Sequence, residues 1–238
     1  TRVDQEVQQK GFSPLKADLA GITRLSEMLR AQDWKVRLAV RPGQEAALLV
    51  ATLPAGTPLY GLAVDMGSTK LALYLVDLAS GITVAKTGVM NPQIAFGEDI
   101  VSRIAFANQA IDNQALLQTR LVETLNQAIT GMCAEAGIVR SQVVDAVLVG
   151  NTAMHHFFCR LPVRQLGAAP YVPAVAEPLD ILAGEIGLAL ADGALLHTPA
   201  NIAGYIGGDH TSALLSIYPE AKDQRVVWWI SAPIPRSA

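Results

Sequence analysis

The chain has 238 residues, room for one large domain or a small one beside a medium one, and 51% of them are hydrophobic against 16% charged. Aromatics contribute only 5%, so the apolar content is mostly aliphatic, which favours a buried α/β sheet over disorder. A net charge of −3 supplies no electrostatic footprint for nucleic acid or anionic lipid, and neither is expected as a partner.

The polar start TRVDQEVQQK has no signal-peptide core, and no apolar run approaches the roughly 18 residues of a membrane span, so a cytoplasmic protein is expected. The first residue is Thr rather than Met, which suggests a piece cut from something longer. Within residues 1–57, LAGITRLSEMLRAQ (19–32) has amphipathic helical spacing, while WKVRLAV and AALLVATL, separated by the turn signal RPGQ, read as strands. A helix packed on a hairpin is predicted there, with PAGTP (54–58) as the linker onward.

From Tyr60 the runs GLAVDMG, LALYLVDL and ITVAKTGVM read as three consecutive strands, the last two joined by the hairpin signal ASG. A helical region follows from about 97 to 136, broken near Asp112 and Asn113 and closed by Gly137. VVDAVLVG (143–150) reads as a buried strand, and NTAMHHFFCR as a helix with Asn151 or Thr152 at its N-cap. An extended Pro-rich connection (161–178), a helix at ILAGEIGLALA (181–191), a short strand within ALLHTPANIAG (194–204) and a helix from Asp209 to Ile217 complete the series. Three strands followed by alternating helix and strand is the order of a ribonuclease-H-like domain.

Chemistry concentrates at the turns. In VDMGSTK (64–70) a strand delivers Asp65 to its C-terminal edge, where a carboxylate suits Mg²⁺ or its waters. Gly67, Ser68 and Thr69 then form a turn whose N–H groups and hydroxyls can meet phosphate, and Lys70 can reach one as a point charge. No Walker A pattern is present, and an ordinary hairpin turn with a solvated Asp and Lys reads the same way. In NPQIAFGEDIVSRI (91–104), Glu98 and Asp99 suit a first helical turn; Gln93 and Asp99 are cleft residues if this loop faces the edge that carries Asp65.

In VGNTAMHHFF (149–158), Gly150, Asn151 and Thr152 offer a second anion contact at a helix start. His155 and His156 are adjacent, so on a helix they diverge by about 100°, and without an HExxH spacing they read as surface or internally satisfied residues rather than metal ligands. GYIGGDH (204–210) sets Gly208 and Asp209 at the start of a further helix, where Asp209 is either an N-cap or a site residue. Cys133 and Cys159 lack CxxC spacing and read as buried thiols, too few for an iron–sulfur cluster.

Together and in this order, VDMGSTK, NPQIAFGEDIVSRI, VGNTAMHHFF, LPVRQLGAAPYVP and IAGYIGGDH resemble the ATPase domain of reductive activators of corrinoid-dependent enzymes. These belong to the acetate and sugar kinase, heat-shock chaperone and actin superfamily, and the resemblance covers residues 60–217. It implies a ribonuclease-H-like, actin-like first lobe with a mixed sheet over 58–224, preceded by a small α+β middle domain at 1–57. It also implies ATP and Mg²⁺ as cofactors, the first phosphate loop falling on Asp65, Gly67, Ser68 and Thr69; family members usually carry Thr where this chain has Lys70.

In that family, ATP hydrolysis assists electron transfer from a [2Fe–2S] domain to Co(II) of a corrinoid protein, restoring Co(I). The implied partner is a corrinoid protein or a corrinoid-dependent methyltransferase. The cluster's ligands are missing here, so its domain is expected upstream of Thr1 or on another chain. Two rival readings remain: a sugar- or acetate-kinase-like phosphotransferase, favoured by a pocket for a small hydroxylated substrate, and a noncatalytic module that docks a corrinoid protein without nucleotide.

The ending RVVWWISAPIPRSA (225–238) departs from the superfamily, where a second phosphate loop of the type DIGTNTE opens the second lobe. Codons for WWISAPIPRSA can be chosen that, regrouped by one base, read VDIGTNTEIG. A frameshifted, truncated start of the second lobe is therefore expected at 225–238, leaving a chain inactive or nearly so on its own. Apolar surface exposed at the lost interface is a route to aggregation or a homodimer.

Overall fold

The computed structural model describes residues 2–221; the ending 225–238 lies outside them. The chain begins with α1 (Arg2–Gln9) and the two-residue strand β1 (Leu15–Lys16), followed by α2 (Leu19–Ala31), β2 (Val36–Arg41) and β3 (Ala47–Pro54). The predicted helix and hairpin are present. Asp18 caps α2 by accepting from the Gly21 N–H at 2.6 Å, which fixes where the helix starts. β2 and β3 pair antiparallel, and β1 adds to the far side of β3 in parallel, giving a three-stranded sheet of order β1-β3-β2.

Next come β4 (Tyr60–Met66), β5 (Lys70–Asp77), β6 (Thr83–Met90), α3 (Ile100–Gln109), α4 (Ile111–Glu135), β7 (Val143–Gly150) and α5 (Thr152–Cys159). The series ends with β8 (Leu179–Leu182), α6 (Ala183–Ile186), β9 (Leu195–Thr198) and α7 (Gly208–Ala221). The second sheet has the order β6-β5-β4-β7-β9-β8. Its first three strands form an antiparallel meander, β4, β7 and β9 run parallel, and β8 returns antiparallel at the edge. This mixed sheet is the ribonuclease-H-like arrangement.

The long helix packs across the meander because its apolar residues recur every fourth position: Leu117, Leu121, Leu125 and Ile129 are all buried. They meet Leu71, Leu73 and Leu75 of β5 and Leu62 and Val64 of β4 in one core. Each such leucine contributes about 2 kcal/mol on leaving water. The predicted helix break falls at Ala110, which has extended backbone between α3 and α4, and Asn113 stitches the break by donating from Nδ2 to the Phe106 carbonyl at 2.7 Å. Gly137, at φ +67°, closes α4 as expected.

One predicted element differs. Only Ala183–Ile186 of the stretch 181–191 is helical; Leu179–Leu182 is drawn into a strand by antiparallel pairing with β9, and Gly187, at φ +84°, stops the helix. Sheet pairing outweighs helical spacing there. The two sheets meet directly: the Gly193 N–H donates to the Val50 carbonyl at 3.0 Å, Arg41 pairs with Asp145, and Arg24 reaches Asp192 at 3.0 Å.

Candidate functional site

The site grows from one pair of strands. Because β4 and β7 run parallel, with Asp65 opposite Val149 and Met66 opposite Gly150, their C-terminal ends open at the same sheet edge. The turns that follow, 67–69 and 151–152, therefore lie side by side. Asn151 caps α5, accepting from the Met154 N–H at 3.0 Å. A third segment, the approach to α7, lies against the second turn: the Thr152 hydroxyl donates to the Ala203 carbonyl. At Gly207 an added Cβ would lie 2.6 Å from the Thr152 nitrogen and closer still to the Gly150 carbonyl, so only glycine fits this seam.

Three chain segments distant in sequence thus bring Asp65, Gly67, Ser68, Thr69, Gly150, Asn151, Thr152, Gly208 and Asp209 to one edge. Alternation along β5 sets Lys70 on the same sheet face as Asp65, with its side chain exposed. Asp65 is open to solvent on one side yet crowded by protein, and desolvation is the larger cause that raises its carboxyl above the usual range; the nearby Asp209 charge adds to it. Asp209 is itself held in place, accepting from the backbone N–H and Nδ1 of His210, each at 2.8 Å.

Gln93 and Asp99 do not join this group. Gln93 is fully buried and its Nε2 donates to the Leu117 carbonyl of α4 at 3.1 Å, while its Oε1 finds no partner among the described residues. Asp99 caps α3 in a reciprocal arrangement with Ser102, and those hydrogen bonds, first the one from the Ser102 N–H, hold its carboxyl below the usual range. Burial against α4 accounts for Gln93 and helix capping for Asp99, rather than a cleft.

His155 and His156 are buried and internally bonded. His156 meets the Thr152 carbonyl through Nδ1 at 2.7 Å, and its Nε2 accepts from the Ala174 N–H at 3.0 Å. His155 contacts Thr198 Oγ1 at 3.1 Å and Asn201 Nδ2 at 3.0 Å. They bind α5 to β9 and to the long connection before β8. Cys133 is buried, whereas Cys159 is only half-buried.

Sequence reading missed Asn91 and Arg103, both buried behind the first turn. Asn91 donates from Nδ2 to the Gly67 carbonyl and from its backbone N–H to the Thr69 carbonyl, both at 2.9 Å. Arg103 donates from Nη2 to the Ser68 carbonyl at 2.6 Å and from Nε to the Gly97 carbonyl at 2.8 Å. The signals were present: Asn before Pro is a cap pattern, and Arg103 is the one cation in the otherwise apolar and small-polar run IVSRIAFA.

Known proteins share this architecture. The sequence profile of the family described as RACo middle region matches residues 60–218. The chain is 31% identical over 170 residues to the corrinoid activation enzyme RamQ of Eubacterium limosum, an alignment covering 71% of this chain and 28% of that protein. A solved structure, a reductive activator for corrinoid, iron–sulfur protein, superposes with a TM-score of 0.79 at 28% identity, over 91% of this chain and 35% of its own. This chain therefore spans well under half the length of either relative. It belongs to the RACo middle region family, whose profile takes in the six-stranded sheet and all three turns at its edge.

Proposed function

We propose that this chain is part of an ATP-dependent reductive activator that returns Co(II) of a corrinoid protein to Co(I), and that the edge of β4 and β7 receives the phosphates of Mg·ATP. Residues 1–57 are then the small middle domain and 58–224 the first ATPase lobe. The corrinoid partner is inferred from the two relatives, a corrinoid activation enzyme and a reductive activator for corrinoid, iron–sulfur protein. The nucleotide reading rests on one observation, the convergence of two glycine-bearing turns and a helix start on the Asp65 and Asp209 carboxylates.

The residues fit the cofactor. Two carboxylates close enough for one to raise the other are relieved by a divalent cation, and Mg²⁺ is commonly held by one or two carboxylates together with phosphates and water. Among the described residues no group of three His, Cys, Asp or Glu side chains forms a metal cage, so the cation would arrive with its nucleotide. Asp65 and Asp209 would hold it or its waters, the turns 67–69 and 150–152 would orient the phosphates, and Lys70 adds a positive charge on the same sheet face. Bound Mg·ATP supplies a phosphoanhydride whose hydrolysis drives the uphill one-electron reduction. A [2Fe–2S] cluster takes four cysteines and does not fit the two present, so the electron passed to Co(II) would come from an iron–sulfur centre held outside these residues.

Calorimetric titration of the chain with Mg·ATP tests this reading. Saturable binding that Asp65→Asn weakens at least about tenfold is expected. A folded wild-type chain that takes up no Mg·ATP, yet binds a corrinoid protein, would replace the nucleotide site with a docking module.

A further inference from the structure

Three successive carbonyls of the first turn are drawn inward. Gly67 is held by Asn91 Nδ2 at 2.9 Å, Ser68 by Arg103 Nη2 at 2.6 Å, and Thr69 by the Asn91 N–H at 2.9 Å. In a trans peptide the C=O and the following N–H point in opposite directions. With the Gly67 and Ser68 carbonyls turned in, the N–H groups of Ser68 and Thr69 are turned out, and they meet no acceptor among the described residues.

The same two side chains reach further. Arg103 is fully buried, with Nε on the Gly97 carbonyl at 2.8 Å and Nη1 3.8 Å from the Met154 sulfur; Asn91 Nδ2 lies 3.7 Å from that sulfur. Met154 belongs to the first turn of α5, directly after the second glycine-bearing turn. A planar guanidinium with donors in a fixed fork can hold two carbonyls from different segments at a set distance, which a lysine ammonium cannot.

We propose that Arg103, together with Asn91, is a positioning residue: it locks the 67–69 turn with its carbonyls inward, so that the Ser68 and Thr69 N–H groups form a preset anion cradle in register with the α5 turn. This rests on the reading of the edge as a phosphate site. Neither side chain touches the anion. Their effect is to remove the reorganisation that a free loop would undergo on binding.

The test uses the whole chain, with Mg·tripolyphosphate as probe. Affinity is read by calorimetry, and the ¹⁵N-labelled amides of Ser68 and Thr69 by NMR. Wild type should show both amide protons moving downfield on saturation. Arg103→Lys should keep far-ultraviolet circular dichroism and cooperative unfolding, lose about tenfold in affinity and lose most of the amide shift. Asn91→Ser, which retains a cap acceptor for the Gln93 N–H but whose shorter hydroxyl draws the donor back from the Gly67 carbonyl, should do the same and serves if Arg103→Lys does not fold.

A folded variant with wild-type affinity and wild-type amide shifts overturns the proposal. Should wild type bind no tripolyphosphate, the phosphate-site reading falls by itself. The clamp is then decided by ¹⁵N relaxation without ligand: Ser68 and Thr69 rigid in wild type and mobile in the variant uphold it, and equal order in both refutes it.

Discussion

Desolvation first, and the Asp209 charge second, raise the Asp65 carboxyl above its ordinary value of 3.8. A carboxylate raised on folding contributes most below its unfolded value and loses that contribution as pH climbs through the folded one. Asp65→Asn should therefore stabilise the ligand-free chain at pH 7, by less than about 1 kcal/mol because solvent reaches the group, while on the proposed function it weakens Mg·ATP binding. Urea midpoints at pH 7 that fall in the variant would contradict this. His155 runs the opposite way: burial, then the neighbouring His156, lowers it from 6.5 to about 4. Its neutral network is intact above pH 6.5 and loses stability as pH falls toward 4, by on the order of 3 kcal/mol. Thermal midpoints followed from pH 7 to 4 should drop, and His155→Gln should flatten that slope.

Between elements, the seam at Gly207 leaves no room for a methyl group. Gly207→Ala pushes the approach to α7 off the Gly150–Thr152 turn and should cost on the order of 2 kcal/mol in urea unfolding. Gly131, inside α4 with nothing within 4 Å of an added Cβ, is the matched control. Gly131→Ala should stabilise by about 0.5–1 kcal/mol through helix propensity alone. Equal effects at the two positions would remove the packing argument. Sequence alone makes several elements legible: VVDAVLVG coincides with β7, Asn151 is the cap of α5, and Gly137 closes α4. These signals are local. The two residues of β1 are a strand only because Ala47 and Leu48 pair with them, and Arg103 meets Ser68 across a gap in sequence that no periodicity reports.

Across the whole molecule, the small sheet is not an independent body. Ala39 and Val50 belong to the same buried cluster as Tyr60 and Leu190, and the Gly193–Val50 hydrogen bond crosses the junction. Amides of β2 and β3 should exchange through the same urea-dependent opening as those of β4 and β5. A separate, lower-energy opening of the small sheet would show that the shared core is weaker than its burial implies. The convergence of Asp65 with Asp209 was only partly legible in advance, because it depends on how β7 and β9 add to the meander rather than on either aspartate's neighbours.

The parallel pairing of β4 with β7 also sets an order in time. The meander β4-β5-β6 closes through short turns, at little entropic cost, as soon as its strands exist. Met66 meets Gly150 only after the whole length of α3 and α4 has been gathered in, and Gly207 joins them later still. Contacts between such remote positions are the slow ones in folding. A nascent or partly folded chain would therefore carry the first glycine turn without the second, and on the proposed function nucleotide uptake would report completion of the sheet rather than its beginning.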